Sequence, residues 1–322
     1  MNNLVVILAF AISFILCVIM CPVMIPILRK LKFGQNVREE GPQSHLKKSG
    51  TPTMGGIAIV IAMIIGAVWF VGRDPGIWMI LLMTLLFGAI GFIDDMLKIV
   101  HHQSEGLKAW QKMGLQIIVT AAMVLFVALG TENGTSLLVP FYGLVNFGGW
   151  FYPLAVFAIL GTVNGANFTD GLDGLASTVT IVIAGFITVA SAVLGRGISP
   201  AALSMAGALC AFLCYNCYPA KVFMGDTGSL ALGGFVAASA FALKMPIFLI
   251  FIAFIYLAEI LSVILQVGSF KMTHGKKRIF RMAPLHHHFE LGGWSETRVV
   301  TIFTVVTLIG CILAYAGMGF VL

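Results

Sequence analysis

The chain is laid out as long apolar runs broken by short polar connections. Near-continuous apolar stretches cover residues 3–28, 52–72, 76–93, 112–130, 151–168, 175–195, 199–216, 230–243, 247–270 and 298–320. A helix needs about 20 apolar residues to cross the hydrocarbon of a bilayer. A backbone in lipid must satisfy its own hydrogen bonds, which selects helices for such runs. The pattern predicts an all-α polytopic membrane protein with about ten transmembrane helices, forming a single transmembrane domain over residues 1–322. An even number of spans places both termini on one side. No segment repeats along the chain, which argues against a secondary transporter built from two related halves.

Composition supports this reading: 59% of the 322 residues are hydrophobic and only 10% are charged, where a soluble domain carries roughly 25%. The net charge of +6 is not a nucleic-acid footprint, because the basic residues sit in the connections between spans. Arg29, Lys30, Lys32, Arg38, Lys47 and Lys48 follow the first span. Lys98, Lys108 and Lys112 follow the third, and Lys221 the seventh. Lys271, Lys276, Lys277, Arg278, Arg281 and Arg298 follow the ninth. The alternate connections hold Arg73, Arg196 and Lys244 alone, 3 of the 19 basic residues. The positive-inside rule then puts the charged connections in the cytoplasm and both termini outside. The first basic residue, Arg29, comes after the first apolar run, which points to an uncleaved first helix rather than a signal peptide. Of the six cysteines, Cys214 and Cys217 have zinc-like spacing but no second pair beside them, so buried thiols are the expected reading. The Gly-rich segment 131–150 is expected as a short hairpin or interfacial stretch, with Trp150 and Tyr152 at the membrane boundary.

Against this background the acidic residues stand out, because carboxylates are costly at a bilayer. Asp94 and Asp95 close a span in GFIDDMLK. Acidic groups at a helix C-terminus oppose the macrodipole, so a compensating cation is expected. Neighbouring helical residues point about 100° apart, so one aspartate is expected to face the site while the other orients a neighbour. Asn164, Asn167, Asp170 and Asp173 recur every third residue and would share a helical face. Gly171 and Gly174 are expected to interrupt that helix, with Asp173 well placed to cap the next one. In FMGDTGS, Asp226 lies between Gly225 and Gly228. The segment reads either as a helix cap or as backbone amides offered to a phosphate. Span counting puts all five aspartates on the cytoplasmic side, together with His286, His287 and His288 in PLHHHFELGGWSE. Glu259 and Gln266 in the ninth span suggest a bent helix, a cavity lining or a helix-to-helix hydrogen bond. Hard oxygen donors favour Mg²⁺ or Mn²⁺ over zinc. Lysine and histidine beside them suit phosphates, and the combination describes metal-assisted phosphoryl transfer to a lipid phosphate.

GTPTMGG (50–56), GFIDDMLK (91–98), NFTDGLDGLA (167–176), FMGDTGSLALGG (223–234) and PLHHHFELGGWSE (284–296) together resemble the MraY family. These are the phospho-N-acetylmuramoyl-pentapeptide-transferases, within the polyprenyl-phosphate N-acetylhexosamine-1-phosphate transferase superfamily. The His triplet is the more family-specific of these marks. The resemblance implies transfer of phospho-MurNAc-pentapeptide from UDP-MurNAc-pentapeptide to undecaprenyl phosphate in peptidoglycan synthesis, giving lipid I and UMP. It further implies dependence on Mg²⁺, a homodimer and a bacterial cell membrane. By motif position, Asp226 resembles the metal ligand, and Asp94, with Asp95 beside it, the residue that deprotonates the lipid phosphate. Asp170, Asp173 and Gly225 fall at the nucleotide side, with Phe223 where the family stacks on uracil. Lys48, Asn167, Gln266, His286 and His288 map to polar contacts of the cleft, and His287 to a catalytic position. Direct attack and a covalent enzyme intermediate are both compatible with these residues. The readings that compete are a sister transferase moving GlcNAc-1-phosphate, a transporter, and a non-catalytic scaffold. The His triplet argues against the first, the one-sided placement of the acids against the second, and their clustering against the third.

Overall fold

The computed structural model describes residues 3–30, 48, 50–101, 106–130 and 134–319. Lys32, Arg38 and Lys47, counted above, lie outside the described residues. The described chain is mostly helical. Its helices are α1 (Asn3–Lys30), α2 (Gly56–Val68), α3 (Gly76–Val100), α4 (Ala109–Gly130), α5 (Phe151–Thr169) and α6 (Leu175–Val193). They continue with α7 (Ser199–Asn216), α8 (Gly225–Ala242), α9 (Leu249–Ile252), α10 (Phe254–Met272), α11 (Leu285–Glu290) and α12 (Glu296–Met318).

Each of the ten expected spans contains a helix, but eight of these are long and apolar enough to cross a membrane. Among the described residues, the two that fall short by length or composition are α2 and α8. α2 has 13 residues, about 20 Å of helix. α8 is built of glycine, alanine and serine, and every residue from Thr227 to Ala242 is buried. Protein surrounds it instead of lipid, so it needs no long apolar run. The ninth run is broken at its start, not at its polar residues. Ala253, with φ −110° and ψ 29°, separates the single turn of α9 from α10.

The segment between α4 and α5 forms the hairpin that the sequence allowed. Strand β1 (Ser136–Val139) pairs antiparallel with β2 (Gly143–Asn146), with Ser136 opposite Asn146 and Val139 opposite Gly143. The Leu138 N–H donates to the Lys244 carbonyl at 2.7 Å and the Phe141 N–H to that of Gly317 at 3.0 Å. These bonds tie the hairpin to the C-terminal ends of α8 and α12. The N-terminal ends of the same two helices lie at the other end of the bundle, where the aspartates gather. Small residues bring α8 close to its neighbours. A Cβ on Gly56 would stand 2.2 Å from the Gly228 nitrogen, and one on Gly233 would stand 2.5 Å from the Val163 Cα.

Candidate active site

The site begins with a backbone contact. A Cβ on Gly91 would lie 2.0 Å from the Asp226 carbonyl oxygen, so α3 meets the first turn of α8 without an intervening side chain. One turn further along α3 come Asp94 and Asp95, both buried. The first amides of any helix have no partner within it, and here Asp95 supplies one. Its carboxylate accepts from the Asp226 N–H at 3.2 Å, the Thr227 N–H at 2.9 Å and the Thr227 hydroxyl at 2.7 Å. A negative charge at a helix N-terminus also suits the macrodipole. Gly225 makes the approach possible: its φ is +70°, and a Cβ there would sit 2.6 Å from Asp95 Oδ2. Two expectations change. The amides of FMGDTGS point at the protein's own Asp95, not at an open phosphate position. Asp226 is not the cap of α8 either; Met224 holds that position and Asp226 lies in the first turn.

Oxygens of Asp94, Asp95 and Asp226 lie within 4.8 Å of one another. Three carboxylates that close repel unless cations stand between them. Lys98 Nζ is 2.6 Å from Asp94 Oδ2, 3.6 Å from Asp95 Oδ1 and 2.7 Å from Asp226 Oδ2. Lys112 Nζ, from α4, is 2.9 Å from Asp226 Oδ2. Asn167 donates to Asp226 Oδ1 and to the Ser229 hydroxyl, both at 2.8 Å. The Leu107 N–H donates to Asp94 Oδ1 at 2.9 Å. Asp95 is thus engaged by α8, whereas Asp94 and the half-buried Asp226 face the lysines. Sequence reading treated Lys98 and Lys112 only as orientation markers. The signal for Lys98 was present: three and four residues from an aspartate pair is ion-pair spacing on a helix.

The run Asn164–Asp173 divides. Asn164 turns to α4 and donates to Gln116 Oε1 at 2.7 Å, while Asn167 joins the cluster. α5 ends at Thr169, and Gly174, with φ +79°, occupies the N-cap of α6. Asp173 is therefore not the expected cap. Its carboxylate accepts from Lys48 Nζ at 2.6 Å and from the Ala220 N–H at 2.9 Å. Glu296, in the first turn of α12, accepts from Lys48 at 2.5 Å and from the Asp173 N–H at 2.7 Å. Glu296 was not singled out from sequence, because a first-turn acid reads as an ordinary helix start. Burial works against the Lys48 charge, but the hydrogen bonds it donates to Asp173 and Glu296 outweigh that effect and hold the ammonium above its usual range. Burial, and then the charges of Asp226, Asp95 and Asp173, push the Asp170 carboxyl well above the usual carboxylate range; Lys48 offsets this only in part.

One of the three histidines, His286, braces the same loop. His286 is buried; its N–H donates to Glu259 Oε1 at 3.1 Å and its Nδ1 lies 3.1 Å from Glu259 Oε2. A Cβ on Gly171 would lie 2.1 Å from His286 Nε2, so the ring rests directly on the 170–174 loop. His287 Nδ1 is 3.0 Å from Glu290 Oε2, and the Arg281 N–H donates to His288 Nδ1 at 3.1 Å. Gln266 sits apart from the carboxylates. Its amide exchanges three hydrogen bonds with the backbone of Ile279 and Phe280. Phe223 is half-buried. Its N–H donates to the Pro52 carbonyl at 2.8 Å and its carbonyl accepts from Gly55 at 2.9 Å, joining GTPTMGG to the entrance of α8.

Known proteins resemble this chain along most of its length. The profile of glycosyl transferase family 4 matches residues 77–245, which include Asp94, Asp95, Asp170, Asp173 and Asp226. Phospho-N-acetylmuramoyl-pentapeptide-transferase signature 1 matches residues 48–60, from Lys48 through GTPTMGG. The chain is similar to the phospho-N-acetylmuramoyl-pentapeptide-transferase of Clostridium perfringens strain 13, with 49% identity over 316 residues, covering 97% of this chain and 98% of that protein. The protein of the same name from Clostridium novyi strain NT is 49% identical over 295 residues, 90% of each chain. That from Clostridium kluyveri strain ATCC 8527 is 47% identical over 294 residues, 90% of this chain and 92% of its own.

Proposed function

The chain belongs to the phospho-N-acetylmuramoyl-pentapeptide-transferases of glycosyl transferase family 4, and on that premise we propose that it transfers phospho-MurNAc-pentapeptide from UDP-MurNAc-pentapeptide to undecaprenyl phosphate, giving lipid I and UMP for peptidoglycan synthesis. The observation that carries this reading is the meeting of Asp94, Asp95 and Asp226 with Lys98 and Lys112 at one end of an apolar bundle. An oxygen of the lipid phosphate forms a bond to the phosphorus that bears the sugar. The bond from that phosphorus to the bridging oxygen breaks, and UMP leaves with the oxygen and its electron pair. Both reactants are anionic, and Lys98 and Lys112 offset the charge that gathers between them. Asp94 is the group in this reading that receives the proton of the lipid phosphate. Lys48, held between Asp173 and Glu296, offers a cation to the nucleotide side, with Phe223 as the surface for its base. His286, fixed by Glu259, keeps the Asp170–Gly174 loop in place.

The donor set fits Mg²⁺. Asp94 and Asp226 present hard oxygens to a shared position, and the Lys98 ammonium stands against both, marking where positive charge is held. Asp226 would hold the ion, with Asp95 fixing the helix end that carries it. Bound there, Mg²⁺ supplies charge neutralisation at the diphosphate. The distribution of basic residues supports a site facing the cytoplasm of a bacterial cell membrane, and the family resemblance supports a homodimer.

The test is UMP release in detergent from UDP-MurNAc-pentapeptide and undecaprenyl phosphate, with UDP-GlcNAc in parallel. Release from the first sugar alone, abolished by chelation and restored by Mg²⁺, is expected. Asp226→Asn should lose at least about 100-fold, comparable to removing one electrostatic stabiliser. Release from UDP-GlcNAc alone would assign the chain to the sister reaction, and full turnover by Asp226→Asn would overturn the metal role.

A further inference from the structure

The buried stripe of α4 is polar at one end. Gln116 and Thr120 are buried along with Met123, Val124 and Val127. Lys112, one turn before Gln116, reaches Asp226 in the acidic cluster. Residues four apart share a helix face, so Lys112, Gln116 and Thr120 form a polar file. It runs inward from the cluster for about 12 Å. α5 answers the first two members. Lys112 Nζ donates to Asn167 Oδ1 at 3.5 Å, and Asn164 Nδ2 donates to Gln116 Oε1 at 2.7 Å.

The file then breaks off. Gln116 Nε2 and Thr120 Oγ1 are both sealed from solvent, and neither has a hydrogen-bond partner among the described residues. Asn164 fixes which end of the Gln116 amide is left over. Its Nδ2 also donates to the Leu160 carbonyl at 2.9 Å, so both its hydrogens are committed and Gln116 must present an acceptor to it. The Gln116 amino group is therefore the end without a partner. Thr120 differs from other buried threonines of the chain. Thr84, Thr162 and Thr307 each donate to the carbonyl four residues back, and Thr120 does not. A buried polar group left unmade is costly, and internal water is the usual remedy. Side chains one turn apart stand about 5–6 Å from each other. One water, with two bonds of about 2.8 Å, spans that distance.

α4 has reason to need such a rung. In its apolar stretch 28% of the residues are buried, and Ile117, Ile118 and Leu125 face outward. Apolar surface gains little by leaving lipid for protein. Polar bonds to α5 then set the rotation of α4, and with it the direction in which Lys112 points. We propose that Gln116 Nε2 and Thr120 Oγ1 hold one internal water, and that Gln116 is thereby a positioning residue that keeps Lys112 on Asp226. The water site stands without the transferase reading; the positioning role rests on it.

A crystal structure of the full chain, fine enough to show ordered water, tests the site directly. Density for one water within about 3.2 Å of both atoms is expected, and clear density without it overturns the proposal. Thermal unfolding in detergent supplies a second test through its sign. Thr120→Val keeps the shape and removes the hydroxyl. If the hydroxyl holds water, the midpoint falls by about 2 °C or more. An unchanged or raised midpoint is what loss of an orphaned hydroxyl gives, and it overturns the site. Gln116→Met should also lower the midpoint, and the double variant by less than the sum, because both groups serve one water. For the positioning role, Thr120→Val should lower kcat for UMP release about tenfold with KM unchanged, and Thr120→Ser, which keeps the hydroxyl, should restore it. Unchanged kcat in Thr120→Val overturns that role. If the wild type releases no UMP, the transferase reading fails and the positioning role with it, while the density and the midpoints still decide the water.

Discussion

A carboxylate in an apolar bundle persists only where something answers its charge, and the three clustered aspartates are answered differently. Asp95 is answered by backbone amides and Asp94 chiefly by Lys98, so their variants should separate. Asp95→Asn removes an acceptor from the start of α8 and should cost about 1–3 kcal/mol, seen as a lower unfolding midpoint. Asp94→Asn should abolish UMP release with little change in that midpoint. Asp170 offers a third case. Its pKa in the folded protein lies above its unfolded value, so the ionised form costs stability. That cost is full above the folded pKa and is relieved as pH falls through it. Asp170→Asn should therefore stabilise the protein at pH 8, by on the order of 1 kcal/mol, while lowering activity. Thermal unfolding and UMP release on the same preparation check both halves. At this scale the acids were legible because lipid makes them conspicuous. Lys98 carried a signal in its spacing from the aspartate pair, but Lys112 and Glu296 did not, because lysines near span ends and acids in first turns have ordinary explanations of their own.

At the scale of elements, the site depends on helices that approach through glycine. Gly91 and Gly225 let α3 and α8 meet backbone to backbone. Gly225→Ala forces an L-residue into φ +70°, at a cost of about 1–2 kcal/mol, and pushes a methyl group against Asp95. Activity should fall more than tenfold, and the midpoint should fall with it. The start of α12 is held by charge: Glu296 joins Lys48 to the Asp173 amide across three separate elements. Glu296→Gln should raise KM for the nucleotide substrate more than it lowers kcat, since Lys48 loses a partner without leaving the site. Helix existence was legible from apolar runs at every expected span. The brevity of α2, the burial of α8 and the break at Ala253 were not, because an apolar run looks the same against lipid as against protein.

The whole molecule has two ends with different electrostatics. One gathers aspartates and lysines around a candidate reaction centre. The other carries the hairpin and the Asp74–Arg196 pair, which holds the Asp74 carboxyl below its usual range against the effect of burial. Because that pKa is lowered on folding, the pair's contribution is present above the unfolded value, about 3.9. It is lost as pH falls through the folded one. Unfolding midpoints at pH 7 and pH 3 should differ less in Asp74→Asn than in the wild type. Membrane class and the positions of the helices were readable along the chain, because hydrophobicity is a property of individual residues. The partner that neutralises each carboxylate and the aspartate that supports rather than faces the centre were not. Those depend on which residues far apart in sequence come within hydrogen-bonding distance, and close packing between helices settles that.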